Sequence, residues 1–497
     1  MTDAGEPTQT ENGSAAAVAP GSGDERDQRL TWRTGVAVLV VALVVLSGMS
    51  YLALTSEEEM AARPKPAAPS LITLEFGVWG NDAEITAFRA VVADYNASSK
   101  DTLVKVRSWP TAAAMLADVR AKKADPDLYL LPRADLAEAI RTKRTTPLLN
   151  LVQAREIPIG DDFSRDAVSA FSDDDDLQCM PYTTAPQVIF YNKRLVDFDA
   201  MAAEKLPVPL PDHSAWSFAQ FRAAAEYASR PEARARGIYV APTLEGLAPF
   251  IYSGGGSVYD DEVDPTSLAL AEDGAPDALR QTLELLRDPR LTLTSRQLRQ
   301  RSALEWFKAG RLGMIAGDRS LVPELRGVGS LDFDVMPMPT IGSPKTVAEL
   351  TGICLDRAGP RRTDAAANVL TYLVTDDAMA RLAATGYVQP TKLTVAFSPS
   401  FLQPSQAPEH ASVFTEAVRR IVVPPLREDD APLQRLVGPD IAALLTAPVL
   451  DDLPALLAAI DEKSRQVLDP DYEPSESPSP SGTPSGTASP SGESPTP

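Results

Sequence analysis

The fold is decided by the stretch Cys179–Lys193, which reads CMPYTTAPQVIFYNK. Its residues Val188–Tyr191 are apolar and favour a β-strand, whereas Pro181 and Pro186 exclude a helix and one uninterrupted central strand. Strand and helix patterns alternate before the stretch, and helices joined by Pro- and Gly-rich loops follow it. We interpret the stretch as a crossing between two lobes; a buried strand in one large domain is the alternative.

The composition of the 497-residue chain limits its class of partner. A chain of this length can bury a core in two lobes or domains. The net charge of −21 argues against nucleic acid or an anionic membrane surface as a partner. Two histidines and two cysteines exclude zinc-finger-like ligand sets and argue against a histidine-based metal site. We therefore predict neither a metal nor a cofactor.

Residues 34–56 carry no charged side chain and are long enough to span a bilayer. Arginines precede this segment and Glu57–Glu59 follow it, so the positive-inside rule predicts a cytoplasmic N-terminus and an extracellular remainder. We expect an uncleaved single-pass transmembrane helix; a cleaved signal peptide is the alternative. By composition, residues 1–33 are predicted to be a disordered cytoplasmic tail, 57–70 a linker and 471–497 a disordered Pro/Ser-rich tail.

Apolar and polar residues alternate over residues 72–79, which predicts a strand, and Asn81 with Glu84 three positions later resembles a capping box at the start of a helix.

Strand and helix patterns alternate from Leu71, which predicts an α/β fold with parallel strands and right-handed crossovers. In such sheets, ligands bind beyond the carboxyl ends of the strands. Side chains suited to binding follow the first three predicted strands: Trp79, Asn81 and Asp82 after the first, Trp109 after the second and Arg133 after the third. The alternative for either tryptophan is core packing.

Asp173–Asp176 is a run of four aspartates shortly before the crossing stretch. A solvated turn is the simplest interpretation, because aspartate favours turns. A calcium site is the alternative, because carboxylate oxygens are ligands that calcium prefers.

Several motifs follow one another in a characteristic order. They are Pro181–Lys193 ending in FYNK, Pro211–Phe218 (PDHSAWSF), Ser253–Gly256 (SGGG), Trp306–Met314 (WFKAGRLGM), Val335–Pro339 and Gly386–Pro390. Their order and spacing over roughly residues 72–465 resemble those of extracellular solute-binding proteins, specifically the maltose-binding-protein-like, sugar-binding group of ABC importers.

The resemblance implies a two-lobed α/β fold of the periplasmic-binding-protein type II, in which hinge crossings let the lobes close over a ligand. The first lobe is expected at residues 71–180, with a return segment at about 353–400. The second is expected at residues 181–350, with C-terminal helices at about 401–468. The resemblance also implies a monomer that binds a small-molecule solute, needs no cofactor and delivers its ligand to ABC permease subunits.

The resemblance assigns ligand-binding roles to the strand-end residues above and to residues further along the chain. These are Thr183 and Thr184 past the crossing, Tyr252, Ser253 and Gly254 in the second lobe, and Asp318, Arg319 and Tyr387 later on. Many relatives have a sugar-stacking tryptophan where this chain has Arg319. Arginine also pairs with anions, which leaves room for an acidic sugar or another charged solute. The alternative for Arg319 is a surface salt bridge.

The resemblance also gives the two cysteines a context. Cys179 lies on the first crossing and Cys354 lies where the return crossing of the family falls, and such crossings run side by side. Because an extracellular compartment favours oxidation, we expect a disulfide between them. Two separate buried thiols are the alternative.

These observations favour a membrane-anchored receptor that binds a carbohydrate outside the cell and delivers it to an ABC importer. A ligand-sensing or cell-wall-associated protein of the same fold is the second hypothesis. An anchored hydrolase is the third, but His213 and His410 lack a recognisable catalytic context and no Gly-x-Ser-x-Gly elbow is present. We therefore do not expect an enzyme.

Overall fold

The computed structural model describes residues 40–47, 49, 71–230 and 234–473. Contacts within the chain divide it into two units, Met1–Ser70 and Leu71–Pro497.

In the first unit, residues 40–47 are helical, and apolar side chains such as Val41 and Leu43 are exposed. Within the described ranges, no helix has both the length and the apolar content needed to cross a membrane. The predicted tail 1–33, the linker 57–70 and most of the predicted anchor lie outside the described residues, as do residues 474–497.

The strands of the second unit form two larger sheets and one hairpin. They are β1 Ile72–Trp79, β2 Thr102–Trp109, β3 Leu128–Pro132, β4 Ser172–Asp173, β5 Asp176–Leu177, β6 Met180–Pro186, β7 Val188–Asn192, β8 Arg236–Tyr239, β9 Leu312–Gly317, β10 Phe333–Pro337 and β11 Ala348–Leu355.

Helices of four to seventeen residues connect and cover these strands. The α-helices are Asp82–Ser98, Ala112–Arg120, Leu136–Arg141, Leu149–Gln153, Ile159–Asp162, Arg165–Ala170, Phe198–Ala203, Phe218–Ala228, Leu244–Ser253, Ala275–Leu286, Ser295–Leu298, Ala303–Lys308, Val322–Arg326, Pro360–Leu373, Asp376–Ala383, Leu393–Ala396, Pro399–Leu402, Ser412–Ala417, Asp430–Thr446 and Leu453–Leu468. Short 3-10 helices span Arg133–Asp135, Arg319–Leu321 and Val418–Arg420.

The first sheet has the strand order β2-β1-β3-β11-β6. The predicted parallel arrangement is confirmed for β1, β2 and β3, and β1 ends with Trp79 opposite Trp109 of β2. The predicted alternation of β1 is also confirmed, because Leu74, Phe76 and Val78 are fully buried. β11 returns antiparallel between β3 and β6.

The second sheet has the order β10-β7-β9-β8. Both of its faces are covered: Val188 and Phe190 of β7 pack into one core cluster, whereas Ile189 and Tyr191 pack into the other. Side chains alternate between the two faces of a strand, so burial of both faces explains why this strand is apolar without interruption. The helices Asp430–Thr446 and Leu453–Leu468 contribute to the second of these clusters.

Three segments run side by side between the two sheets. Gln187, between β6 and β7, donates its backbone N–H to Val347 O at 2.9 Å, and the Thr346 hydroxyl donates to Gln187 O at 2.8 Å. The third segment is joined to the second because Thr346 N–H donates to Arg420 O and Val422 N–H donates to Thr346 O. We call these three segments, at residues 187, 346–347 and 420–422, the hinge. Rotation of a few backbone bonds in such crossing segments is what lets two lobes move against each other.

The lobe boundary predicted between residues 180 and 181 moves to Gln187, because β6 pairs with β11 in the first sheet. Pro181 is accommodated within β6 at a register irregularity between Thr351 and Gly352 of β11. The return to the first sheet likewise begins with β11 at Ala348 rather than at about residue 353.

Cys179 and Cys354 are joined by a disulfide, with their Cα atoms 4.3 Å apart. Both residues are completely buried. The bond lies beside the pair Met180–Ile353, where β6 and β11 face each other. It therefore holds together the two strands at one edge of the first sheet.

Candidate functional site

The carboxyl end of β1 carries three of the predicted site residues. Trp79 is half-buried, and its indole Nε1 donates to Leu130 O at 3.1 Å. Asn81 forms the predicted capping box of the helix Asp82–Ser98, with its Oδ1 accepting from Glu84 N at 3.1 Å. Asn81 therefore offers a ligand only its amide nitrogen, while the exposed Asp82 offers a carboxylate.

Trp109 has a different environment from Trp79, although the two lie opposite each other in the sheet. It is only 8% exposed, and its Nε1 donates to Asp118 Oδ2 at 2.9 Å. The Arg107 guanidinium covers its ring at 4.9 Å. Trp109 is thus a core residue of the first lobe, which corrects its prediction as a ligand-stacking residue: its N–H has a partner and a face of its ring is covered.

A cavity of about 640 Å³ lies between the lobes and the C-terminal segment, lined by Arg133, Asp174, Glu262 and Pro425 among others. Arg133 Nε donates to Ala170 O at 2.9 Å, and Nη1 donates to Pro425 O at 3.3 Å. Burial lowers the pKa of Arg133. The guanidinium joins two segments of the cavity wall and so shapes this part of the cleft.

The two predicted threonines of β6 differ in accessibility. Thr183 is half-buried, whereas Thr184 is 2% exposed and its hydroxyl has no hydrogen-bond partner among the described residues. This difference follows the alternation of side chains along a strand. Only Thr183 can offer its hydroxyl to a ligand without rearrangement.

Tyr252, Ser253 and Gly254 close the helix Leu244–Ser253, but they do not play equal parts. Ser253 is fully buried, and its hydroxyl donates to Ser343 O at 2.6 Å and accepts from Ile341 N at 2.9 Å. A Cβ on Gly254 would lie 2.4 Å from that of Ala278, so this glycine serves close packing. Tyr252 alone keeps an accessible side chain, and burial raises its pKa.

Arg319 is 1% exposed and is neither the predicted ligand residue nor a surface salt bridge. Its guanidinium donates to Gly386 O at 3.1 Å and to Phe401 O at 2.8 Å. It also lies over the rings of Phe401 and Phe414, at 4.6 and 5.3 Å. Burial, with a contribution from Arg326, lowers the pKa of Arg319 to about 9. The predicted pairing with an anionic ligand is corrected, because these contacts remove the side chain from solvent.

Asp318 and Tyr387 are both half-buried. Asp318 caps the 3-10 helix Arg319–Leu321, accepting from Ser320 N at 2.8 Å through Oδ1. Its second carboxylate oxygen is left for other partners. The described contacts give no hydrogen-bond partner for the hydroxyl of Tyr387, so that ring and hydroxyl are available to a ligand.

A family model of bacterial extracellular solute-binding proteins matches residues 90–409, more than half of the chain. The chain belongs to this family. Membership confirms the predicted family and the prediction of a binding protein rather than an enzyme, and the family's extracellular location agrees with that predicted for the domain. A comparison with curated proteins finds no match.

The fold of this solute-binding protein is similar to that of solved sugar-binding proteins. An ABC substrate-binding protein of Listeria monocytogenes, solved with cycloalternan, superposes with a TM-score of 0.67 at 14% identity, covering 80% of this chain and 99% of its own. The cyclic α-maltosyl-1,6-maltose binding protein of Arthrobacter globiformis gives 0.66 at 16% identity, covering 80% and 99%. MalE of Xanthomonas citri gives 0.65 at 17% identity, covering 80% and 97%. At these identities the likeness shows the two-lobed fold.

As candidate site residues of this solute-binding protein, sequence reasoning missed three glutamates: the exposed Glu245 and Glu349 and the half-buried Glu84. Neighbouring protein atoms desolvate the carboxyl group of Glu349 and so raise its pKa, and the carboxylates of Asp318 and Glu245 raise it further. Burial and then Asp430 raise the pKa of Glu245. Glu349 belongs to β11 of the first sheet, whereas Asp318 follows β9 of the second, so carboxylates of the second lobe influence the pKa of a glutamate of the first lobe.

A signal for two missed glutamates was present in the sequence. Glu84 and Glu245 lie in the first turns of the helices that follow β1 and β8, at the strand ends where ligands bind. Burial raises the pKa of Glu84 as well. Glu84 was interpreted only as a capping residue, and the strand before Glu245 was not predicted. Glu349 lies near the start of a strand, and the strand-end rule does not reach it.

The four-aspartate run forms the tip of the hairpin β4–β5. Asp174 and Asp175 have left-handed backbone conformations, with φ of 47° and 60°. Asp176 Oδ1 accepts from Leu149 N at 3.0 Å. Among the described residues, these aspartates do not converge as a metal-binding group. The run is a turn, as the simpler interpretation predicted.

Proposed function

We propose that this chain is an extracellular receptor for a neutral carbohydrate, which it delivers to an ABC importer. The carrying observation is that carboxylates of the second lobe, Asp318 and Glu245, raise the pKa of Glu349 on β11 of the first sheet, so negative charge from both lobes faces one region near the hinge. Carboxylates accept hydrogen bonds from sugar hydroxyls, and ring faces such as Trp79 and Tyr387 suit the weakly apolar faces of sugars. The sugars in the complexes and names of similarly folded proteins support this ligand class.

A neutral ligand is favoured over an acidic one by the charges of the cleft. Arg319, the predicted partner of an anion, donates to backbone carbonyls in the core instead. Glu245, Glu349 and Asp318 would repel a carboxylate on the ligand. We therefore place acidic sugars outside the ligand range and put neutral oligosaccharides and polyols inside it.

The test is a thermal-shift screen of the purified chain, followed by calorimetric titration of any ligand that raises the melting temperature. Neutral oligosaccharides such as maltotriose and cycloalternan should raise it, whereas uronic-acid oligosaccharides and oligopeptides should not. Trp79→Ala should abolish the shift. Trp306→Ala is the matched control. Trp306 precedes the first residue of β9, whereas Asp318 follows its last residue, so the two lie at opposite ends of that strand. A shift caused by peptides or uronates, with none from neutral sugars, would refute the proposal.

We further propose that residues 34–56 anchor a monomeric receptor in the cell membrane with its N-terminus in the cytoplasm. The uncharged segment and the flanking arginines and glutamates support this topology. Protease added to intact cells should release the binding domain and leave an N-terminal epitope tag protected. A chain recovered from the medium with a new N-terminus after the apolar segment would instead indicate a cleaved signal peptide.

A further inference from the structure

The only two histidines of the chain, His213 and His410, meet at one aspartate of β10, Asp334. His410 Nδ1 lies 2.7 Å from Asp334 Oδ2, and His213 Nδ1 lies 4.0 Å from the same oxygen. The two imidazole rings are stacked with centroids 3.7 Å apart. One donor atom from each of the three residues lies within 4.8 Å of the other two.

We propose that His213, Asp334 and His410 bind one divalent transition-metal ion of the zinc class, with water as the fourth ligand. Zinc takes nitrogen and oxygen ligands at about 2.0–2.2 Å in a tetrahedron, which places the ligand atoms roughly 3.3–3.5 Å apart. The observed separations of 2.7 and 4.0 Å lie on either side of this range. The three donors can therefore reach one ion if the His213 ring turns out of its stack with His410.

The carboxylate of Asp334 is already oriented for this role. Its Oδ1 accepts hydrogen bonds from the backbone N–H groups of Val335, at 2.9 Å, and His410, at 3.0 Å. Its Oδ2 is left facing the histidines. Hydrogen bonds of this kind hold a ligating carboxylate in place in metal sites.

Metal binding would replace two contacts that the histidine rings make in the metal-free protein. The short contact between His410 Nδ1 and Asp334 Oδ2 is a hydrogen bond and requires a proton between the two atoms. For Nδ1 to bind the ion, a neutral ring carries this proton on Nε2 instead, whereas a doubly protonated ring releases it to solvent. His213 Nδ1 also lies 3.3 Å from Val335 O, a contact that the ring gives up as it turns out of the stack. Coordination bonds to a divalent ion replace both interactions.

Charge and accessibility both suit a cation. Asp334 is 1% exposed, and a bound cation would offset the cost of burying its charge. Glu409 and Asp332 add negative charge, since their carboxylates, after burial and Asp334, raise the pKa of the neighbouring Tyr191. The side chain of His410 is 26% exposed, which gives an ion a route to the site.

The proposed ion would join three parts of the chain. His213 lies in the loop before the helix Phe218–Ala228, Asp334 lies on the second sheet, and His410 precedes the helix Ser412–Ala417, which leads to the hinge. Metal binding should therefore stabilise the second lobe whether or not a sugar is bound. The proposed metal site does not depend on the proposed function.

The test uses the tag-free chain, stripped with a chelator and dialysed, because a histidine tag would itself bind metal. Titration with Zn²⁺ should show one ion per chain by elemental analysis and an increase in melting temperature, and Co²⁺ should give the visible absorption bands of a tetrahedral site. His410→Ala should weaken Zn²⁺ binding about a hundredfold or more, because even partners outside the coordination sphere contribute 10–100-fold. His213→Ala should weaken it similarly.

The matched control is Asp175→Asn, which removes an exposed carboxylate from the turn between β4 and β5 and should leave Zn²⁺ binding unchanged. Circular dichroism of each metal-free variant shows whether it is folded, and His410→Ala carries the test if His213→Ala does not fold, because His410 is the more exposed. Unchanged Zn²⁺ affinity in folded His410→Ala would overturn the proposal. So would a folded wild-type chain that takes up no Zn²⁺ or Co²⁺ at micromolar concentration.

Discussion

The two lobes hold their strands and covering segments in place by different chemistry. In the first, β6 and β11 are joined by the buried disulfide Cys179–Cys354. In the second lobe, carboxylates hold segments together through hydrogen bonds. Asp334 of β10 lies within hydrogen-bond distance of His410, and Asp461 accepts from Leu270 N at 2.9 Å and from Ala271 N at 2.7 Å. The first arrangement is covalent, whereas the second includes the carboxyl group of Asp461, whose pKa is raised by burial.

The difference implies separate sensitivities within one protein. The bond that joins β6 and β11 in the first lobe should be sensitive to reduction, and the contacts of Asp461 in the second lobe should be sensitive to pH. Arg319 links the two lobes. It follows β9 of the second sheet, and its guanidinium donates to the backbone carbonyls of Gly386 and Phe401, in the segment after the helices that pack on the first sheet. Three of the four predictions below test this division, and the third tests the cleft between the lobes.

The largest effect is expected from removing the disulfide. Cys179→Ala/Cys354→Ala should lower the free energy of unfolding by about 4 kcal/mol. The bond closes a loop of 175 residues and so reduces the conformational entropy of the unfolded chain. Denaturant titration monitored by circular dichroism measures the change. Thiol counting on the denatured, unreduced wild-type chain provides the control. Two free thiols there would show that the strands are not covalently joined.

Replacing Arg319 should have the second-largest effect. Arg319→Met should cost about 3 kcal/mol, because it leaves the buried carbonyls of Gly386 and Phe401 without donors. The exposed Arg290→Met is the matched control and should change stability by less than about 0.5 kcal/mol. Because Arg319 is remote from solvent, the ligand preference of the folded variant should not change. A variant of wild-type stability that gains or loses binding to acidic sugars would return Arg319 to the cleft.

The sequence predicted the parts of the fold that depend on local pattern. The alternation in β1 and the capping box at Asn81 needed only neighbouring residues, and the structure contains both. The fates of Trp109 and Arg319 could not be predicted in this way. Trp109 is covered by Arg107 and Asp118, and Arg319 is held by residues more than sixty positions away. Only the tertiary structure decides whether such a side chain faces solvent or the core.

The third prediction concerns the two glutamates on opposite sides of the cleft. Glu349→Gln and Glu245→Gln should each weaken binding of a neutral oligosaccharide about tenfold, or about 1.4 kcal/mol, because an amide oxygen accepts hydrogen bonds less strongly than a carboxylate. The double variant should also bind uronic-acid oligosaccharides better than the wild type does. Isothermal titration measures both effects. If only one single variant weakens binding, the ligand contacts one lobe and the cleft does not close on it as proposed.

The smallest effect is the pH dependence contributed by Asp461. Burial raises its pKa from the usual value to about 6. A carboxyl group whose pKa is raised on folding binds its proton more tightly in the folded state, so its contribution to stability is full below about pH 4 and is lost as the pH rises towards 7. Because the group is partly exposed, we expect a loss of only about 1 kcal/mol.

The difference in unfolding free energy between wild type and Asp461→Asn, measured from pH 4 to 7.5, isolates this contribution from those of other carboxyl groups. The stability of the wild type relative to the variant should fall as the pH rises. Asp469→Asn should give a slope of opposite sign, because the hydrogen bond from Arg465 lowers the pKa of Asp469. Its contribution is full at neutral pH and is lost as the pH falls below about 4, so the opposite slope should appear only at the acid end of the range. If both variants gave flat differences, the contacts of Asp461 and Asp469 would not respond to pH, and the contrast between the lobes would reduce to the disulfide alone.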